Sequence, residues 1–398
     1  MRYTYDHTVR GCFVGYIVQA IINNFAPLLF LTFQKELGLT IPQVTALVTI
    51  NFAVQLLTDL AAAALVDRIG YRAGMVIAHL AAAVGFPAMA FLPGILPAPY
   101  AGILIAVCLN AIGGGLLEVL VSPVVEACPT DHKEKTMSLL HSFYCWGHMG
   151  VVLISTVFFA VFGVEHWRFL AMLWAVVPLC NGLLFLRLPI APLLDEDEAS
   201  MPIKELLKNR LFWVLMLLMV CAGASEQGVS QWASAFAEQG LGVSKTIGDL
   251  AGPMLFAACM GTARFLYGKF GEKIDLQRFM LFSGLLCIAA YLLTALSPLP
   301  LFGLLGCGVC GFSVGILWPG TFSLGAKALR KGGTTLFALL ALAGDVGCGS
   351  GPTLVGLVTE QAGGSLSAGI LSGIVFPALL LAGLACYRSI CRKYQTHQ

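Results

Sequence analysis

Charged side chains are scarce in this chain: only 11% of its 398 residues are Asp, Glu, Lys or Arg, whereas 58% are hydrophobic. A soluble domain of this length needs a larger polar surface, so the composition excludes an ordinary soluble globular protein. No tract of basic residues is dense enough to bind nucleic acid, so no nucleic-acid partner is expected. The composition instead predicts a protein embedded in a lipid bilayer.

Motifs of nucleotide hydrolysis and metal catalysis are also absent. The chain has no GxxxxGK[ST] phosphate-binding loop and no HExxH zinc motif, which argues against an ATPase and a zinc hydrolase. Its loops are too short for a soluble signalling domain, so a membrane sensor is not expected. The 13 cysteines, Cys307 and Cys310 among them, are predicted to be small buried apolar residues without disulfides. We therefore expect neither an enzyme nor a protein with a cofactor or a bound metal.

Long hydrophobic runs make up most of the chain. Each run reaches the roughly 20 residues that a helix needs to cross the hydrocarbon core of a bilayer. They predict an all-α integral membrane protein with twelve transmembrane helices. The runs cover residues 10–34, 43–66, 74–93, 99–125, 137–163, 167–187, 211–238, 247–267, 278–297, 300–326, 333–358 and 366–388.

The placement of basic residues predicts the orientation of these helices. If the first helix leaves the cytoplasm, 20 of the 23 Lys and Arg residues lie on the inner side, and only Lys35, Arg168 and Lys245 face outward. The positive-inside bias produces this asymmetry. We therefore predict a multi-pass protein of a bacterial-type inner (cytoplasmic) membrane, with the first helix retained and both termini cytoplasmic.

The chain is predicted to consist of two halves. The longest polar stretch, residues 188–210, is expected to link an N-terminal six-helix bundle, residues 1–187, to a C-terminal six-helix bundle, residues 211–398. Short motifs recur in the two halves, and repeated bundles with binding groups at mid-depth are typical of secondary transporters. The paired motifs are residues 67–72 and 268–273, 122–123 and 318–319, and 147–150 and 344–347.

Ionisable residues inside the predicted spans are few and are candidates for proton coupling. Such a side chain is costly in a membrane unless it faces a bundle interior or water. Glu118 in span four has no Lys or Arg on its helix, and we expect it to load and release a proton. His141 in span five is expected to relay a proton or bind a solute hydroxyl, unless it is only structural. Asp345 in span eleven is either a second proton or ligand site or a packing carboxyl.

Side-chain amides form stripes on the first two spans. Residues four apart lie on the same side of a helix. Carboxamides both donate and accept hydrogen bonds, which suits a neutral polyhydroxy ligand, although interhelical packing is the alternative. The residues are Gln19, Asn23 and Asn24 in span one, and Asn51, Gln55 and Asp59 in span two.

Span seven carries a second polar group, formed by Glu226, Gln227, Gln231 and Trp232. Carboxylates and amides beside an aromatic ring can hold a sugar, because the polar groups bind hydroxyls and the ring packs on C–H faces. The alternative for Trp232 is an aromatic residue at the membrane interface. We therefore predict that these four residues contribute to substrate binding.

The inner loop after span two contains Asp67, Arg68, Gly70 and Arg72. Asp67, Arg68 and Arg72 are predicted to form a gate, with Asp67 pairing against the start of span eleven, unless these charges only set the topology. Arg68, Gly70 and Arg72 resemble the inner-loop signature of the major facilitator superfamily. This resemblance extends over the whole chain.

Further stretches resemble the fucose–galactose–glucose:proton symporter family. The resemblance implies an alternating-access carrier with the major facilitator fold, two pseudo-symmetric six-helix bundles, and Glu118 as the carboxylate that couples proton to sugar. The stretches are Asn23 and Asn24 followed by Phe33 and Gln34, the glycine run 113–115 leading to Glu118 and Pro123, residues 138–143 reaching Gly147, and Glu226 to Trp232.

The chain departs from this family at two positions. The family places an aspartate three residues after the second Asn of span one, where this chain has Pro27. His141 stands where the family commonly has Gln. The first departure removes a carboxylate that the resemblance assigns to coupling.

We predict a secondary active transporter that takes up a small polar solute, a monosaccharide above all, with protons. It is expected to work as a single chain, and sodium in place of the proton stays open. One alternative is a proton-driven antiporter that exports a drug or metabolite, which the apolar bulk and 25 Phe residues favour. Another is uptake of a different small solute such as an organic acid, although no Lys or Arg stands in mid-span to hold an anion.

Overall fold

The computed structural model describes residues 3–129, 133–191, 203–270, 275–329 and 333–395. Every regular element in these ranges is helical. Twelve helical segments are long and apolar enough to cross a membrane, with mean hydropathies between 1.2 and 2.2. The all-α fold and the count of twelve spans, numbered here in chain order, are therefore confirmed.

One compact unit comprises Met1–Asp195 together with Ser244–Leu250. It holds the first six spans, and short 3-10 turns at Ala26–Leu29 and Val164–His166 interrupt the helical path. Its helices are α1 (Tyr5–Phe25), α2 (Phe30–Leu37), α3 (Ile41–Ile69), α4 (Tyr71–Ile95), α5 (Pro99–Ala127), α6 (Lys133–Phe162) and α7 (Trp167–Phe185).

The other compact unit comprises Glu196–Val243 and Ala251–Gln398. The predicted boundaries at 187, 188–210 and 211 stay predictions, and linker residues 192–202 lie outside the described part of the chain. Of the remaining helices, α11 (Lys245–Asp249) belongs to the first unit. Those of the second unit are α8 (Ile203–Lys208), α9 (Arg210–Ser230), α10 (Ala233–Ala235), α12 (Leu255–Phe270), α13 (Leu276–Leu296), α14 (Pro300–Val314), α15 (Leu317–Ala328), α16 (Gly333–Gln361), α17 (Leu366–Ser372) and α18 (Val375–Gln395). Two π-helical turns lie at Phe236–Gly240 and Leu250–Met254.

Helix α11 belongs to the first unit because its charged residues bond there. The Lys245 ammonium donates to the carbonyl oxygen of Leu28 at 2.6 Å and lies 3.1 Å from a carboxylate oxygen of Asp249. Thr156 on α6 donates to Asp249 at 3.5 Å. The Asp249 side chain is only 1% exposed, so this cation and this hydroxyl compensate for the burial of its charge.

Several spans are interrupted, although their hydropathy is continuous. In span one the helix tightens at Ala26–Leu29, where Pro27 has no backbone N–H to continue the α-helical ladder. Span seven leaves the helix at Gln231 and Trp232, and span ten does so between α14 and α15 at Gly315. Interrupted helices expose backbone polar groups at membrane depth, and transporters place binding sites at such points.

Glycines bring the helices of each unit close together. A Cβ atom at Gly113 of α5 would lie 2.7 Å from the carbonyl oxygen of Ala78 on α4. A Cβ at Gly351 of α16 would overlap the carbonyl oxygen of Ala224 on α9. Only a residue without a side chain permits these approaches, which agrees with the small-residue packing of membrane helices.

Candidate functional site

In the first unit, the amide stripes of spans one and two meet. Gln55 Nε2 donates to Asn23 Oδ1 at 2.7 Å, and Asn51 Nδ2 lies 3.4 Å from the same oxygen. Asn23 and Gln55 are buried, so these bonds replace contacts with water. Asn24 instead bonds its own helix, because its Nδ2 donates to the carbonyl oxygen of Ala20 at 2.9 Å. Asn23 is therefore the acceptor that joins the two stripes.

Glu118 accepts a hydrogen bond from span one. Gln19 Nε2 donates to Glu118 Oε2 at 2.8 Å, which joins α1 to α5. One turn further along α5, the hydroxyls of Ser122 and Tyr16 lie 3.0 Å apart. Gln19 Oε1 is buried and has no hydrogen-bond partner among the described residues. Buried acceptors without a donor are uncommon, so this oxygen needs an explanation.

A second carboxylate lies beside Glu118. Carboxylate oxygens of Asp59 on α3 and Glu118 on α5 are within 4.8 Å of each other. The approach depends on Gly115, because a Cβ there would lie 2.8 Å from Asp59 Oδ1 and 2.9 Å from the carbonyl oxygen of Gln55. Two negative charges at this distance repel by about 3 kcal/mol at an effective dielectric constant of about 20. The pair therefore favours binding at least one proton or other cation.

The second unit contains a partly buried ion pair. Arg264 on α12 lies 3.2 Å from Glu226 Oε2 on α9, with the side chains 21% and 9% exposed. Arg264 Nε also donates to the carbonyl oxygen of Gly315 at 3.3 Å, where span ten is interrupted. Gln227 and Gln231 extend the chain of contacts: Gln227 donates to Glu226 at 3.3 Å, and Gln231 donates to Gln227 at 2.9 Å.

Trp232 is packed rather than open to a ligand in this conformation. It is 1% exposed, and its indole N–H donates to the carbonyl oxygen of Pro352 at 3.0 Å. Ser225 and Ser230, on either side of Glu226 along α9, have buried hydroxyl oxygens with no hydrogen-bond partner among the described residues. Stacking of a sugar on Trp232 therefore requires its neighbours to move.

The other predicted residues are distributed as follows. Asp345 is buried on α16 of the second unit. Arg72 donates to the carbonyl oxygens of Phe185 and Leu186, at 2.9 and 3.1 Å, where α7 ends. The side chains of His141, Asp67 and Arg68 lie outside the described residues.

Residues 311–315 have the G-x-S-x-G pattern of hydrolase nucleophiles, but not their structural setting. That motif works at a sharp turn from a strand to a helix, which exposes the serine. Here Ser313 lies within α14 and is buried, and its hydroxyl donates to the carbonyl oxygen of Cys310 at 2.7 Å. The pattern is therefore part of a helix with close glycine packing.

The sequence profile of the Major Facilitator Superfamily matches residues 11–352. The chain belongs to this superfamily. It is therefore a multi-pass membrane transporter. Comparison with curated protein sequences gives no match.

Solved structures of other transporters share the fold of this one. The E. coli fucose:proton symporter FucP has 18% identity and a TM-score of 0.66, and the match covers 96% of this chain and 99% of that one. A bacterial homologue of the human lysosomal transporter Spinster has 15% identity and a TM-score of 0.75, covering 97% of each chain. A D-xylose-proton symporter has 16% identity and a TM-score of 0.72, covering 94% and 95%. At these identities the likeness shows the major facilitator fold alone.

Gly147 and Gly347, from the paired motifs of the sequence, each pack against a helix that carries a buried polar residue. A Cβ at Gly147 would contact Ile17 and Ala20 in span one, and a Cβ at Gly347 would contact Val220 and Ala224 in span seven. Six residues beyond Ile17 stands Asn23, and six residues beyond Val220 stands Glu226.

Proposed function

We propose that this transporter takes up a small polar solute, a monosaccharide, together with a proton. The observation that supports this proposal best is the position of Glu118, which accepts a bond from Gln19 in a unit that also holds the buried amide pair Asn23 and Gln55. A protonatable group beside uncharged donors and acceptors suits a neutral hydroxylated ligand and a coupled proton.

In the proposed cycle, Glu118 first binds a proton from the outer side, which removes a buried charge. The solute then binds to amides of span one, span two and span seven, and the neutral loaded carrier changes its accessible side by alternating access. The solute and proton leave inside, with the charged inner-loop residues as the gate. The proposed binding residues are Gln19, Asn23, Asn24, Asn51, Gln55, Glu118, His141, Glu226, Gln227, Gln231 and Trp232, and the proposed gate residues are Asp67, Arg68 and Arg72.

Coupling in this scheme follows from the cost of a buried carboxylate. An ionised Glu118 in an occluded, dehydrated state is unfavourable, so the carrier reorients mainly when this residue is protonated. The solute gradient and the proton gradient are then linked through one side chain. Asp345 is a further candidate for the same role in the second unit.

The first prediction is tested by transport into proteoliposomes. Purified protein is reconstituted, and uptake of a panel of radiolabelled monosaccharides is measured under an inward proton gradient, an inward sodium gradient or neither. We expect accumulation of at least one sugar under the proton gradient, and loss of this accumulation in Glu118→Gln. The control is Glu126→Gln, an exposed carboxylate on the same helix. Accumulation driven by sodium alone, or full proton-driven accumulation in Glu118→Gln, would contradict the proposal.

One observation favours a second candidate, uptake of an organic acid. Arg264 places a cation next to the polar group of span seven, where the sequence predicted none. An anionic solute that displaced the carboxylate of Glu226 from this guanidinium would gain a charge-assisted hydrogen bond. The same proteoliposomes distinguish the candidates if the panel includes sugar acids, because this candidate predicts that acids accumulate and neutral sugars do not.

A further inference from the structure

A second carboxylate approaches Glu118 from span two. Asp59 reaches within 4.8 Å of Glu118, and Gly115 leaves the space that it occupies.

We propose that Asp59 is a second proton-coupling residue and that Asp59 and Glu118 bind the transported proton as a pair. This inference rests on the proposed function, which assigns the coupling proton to Glu118. On the outer side a hydronium ion gives up a proton: one of its O–H bonds breaks, and one O–H bond forms on a carboxylate of the pair. On the inner side this O–H bond breaks and the proton passes to water, so one positive charge accompanies each solute.

Gln19 gives independent support, because its amide is incomplete without a bound proton. Its Nε2 donates to Glu118, whereas its Oε1 is buried with no partner among the described residues. A protonated Glu118 has an O–H group to donate. Rotation of the Gln19 side-chain amide by about 180° would bring Oε1 into position to accept this hydrogen bond. The unsatisfied oxygen therefore has a natural partner when the pair is protonated, and Gln19 can stabilise both states.

Other titratable groups lie on the helices that pack around α5. Tyr16 on α1 faces it, and its hydroxyl contacts Ser122 one turn from Glu118. On α4, His79 lies 2.7 Å from the side chain of Asn181, and Arg72 bonds the carbonyl oxygens at the end of α7. His148 is a buried residue of α6. Tyr16 therefore touches the helix of Glu118 through Ser122.

The second prediction separates solute exchange from proton coupling. In vesicles without a gradient, counterflow of a transported solute needs binding and reorientation but no net proton movement. Asp59→Asn is expected to keep counterflow, and to lose about tenfold or more of gradient-driven accumulation and of solute-driven proton influx. Without the neighbouring negative charge, Glu118 loses the repulsion that favours its protonated form. Asp59→Glu is expected to restore both, and Glu126→Gln serves as the control.

The outcomes distinguish this inference from the proposed function. If the wild type moves no protons with any solute, the proposed function fails. If the wild type couples and Asp59→Asn accumulates solute with the wild-type proton-to-solute ratio, only the role of Asp59 is refuted. If Asp59→Asn does not fold, infrared spectra of Asp59→Glu replace it. The carboxylic acid band of Glu118 must then shift relative to the wild type, and an unchanged band refutes the pair.

Discussion

The guanidinium of Arg264 on α12 and the carboxylate of Glu226 on α9 meet inside the second unit. They stand on different helices, 38 residues apart, so no pattern within one helix pairs them. The contact is possible because the long arginine stem carries its charge well away from its own backbone. A buried ion pair is strongly sensitive to loss of one partner.

The third prediction concerns this ion pair. Glu226→Gln is expected to destabilise the protein by about 1–3 kcal/mol, because the partly buried guanidinium loses its counter-charge. The double variant Glu226→Gln with Arg264→Gln is expected to be more stable than Glu226→Gln alone, since no charge is left without compensation. Thermal melting of the wild type, Glu226→Gln, Arg264→Gln and the double variant in one detergent forms a double-mutant cycle. Strictly additive effects would show that the pair makes no energetic contribution.

Single residues also mark the limit of what the sequence predicts about the site. Glu118 was predicted to couple proton transport from its position in an apolar helix, because a carboxyl group is costly there unless it has a function. Asp59 was visible on the stripe of Asn51 and Gln55, but its approach to Glu118 depends on the rotation of two helices about their axes. That rotation is fixed by Gly115 and by packing, which no pattern within one helix contains.

At the scale of secondary structure, the sequence predicts the spans but not their interruptions. Hydropathy averages over about 19 residues, so a break of two residues in an apolar segment leaves no signal. Pro27 is the exception, because its missing N–H predicts a local change. The interruption at Gly315 has a consequence for the site, because the carbonyl oxygen there accepts a hydrogen bond from Arg264.

The fourth prediction tests the packing of α9 against α16. Gly351→Ala is expected to lower the melting temperature, because the new methyl group overlaps the carbonyl oxygen of Ala224 and overpacking costs about 1–3 kcal/mol. Gly150→Ala on α6 is the matched control, since nothing lies within 4 Å of its Cβ position. The control should melt at or slightly above the wild-type temperature because alanine favours the helix. Equal melting of the two variants would refute the packing argument.

For the whole molecule, composition and the distribution of basic residues were sufficient to predict twelve membrane spans. Composition and charge distribution both reflect the bilayer around every span, so local irregularities in spans one, seven and ten do not change the prediction. The identity of the solute cannot be predicted in the same way. It depends on a few side chains whose partners come from separate helices, and His141, Asp67 and Arg68 have side chains outside the described residues.

The fifth prediction concerns ligand binding by the intact transporter. A solute that binds the folded state stabilises it by mass action and so raises the melting temperature. At a concentration a hundred times its dissociation constant, the free energy of unfolding rises by about 2.7 kcal/mol. We expect a monosaccharide to stabilise the wild type, and Asn23→Leu to abolish this stabilisation, because Asn23 accepts from Gln55 at the proposed site. Stabilisation by sugar acids alone would favour the organic-acid alternative.

The glycine contacts described above also limit how each unit can deform during transport. Where backbone meets backbone, as between Gly113 and Ala78 or Gly351 and Ala224, helices have no soft layer of side chains through which to slide. Spin labels on α4 and α5, or on α9 and α16, should therefore keep a constant separation through the transport cycle. Movement would then concentrate at the interrupted segments, which makes them the places to look for changes in spectroscopic distance.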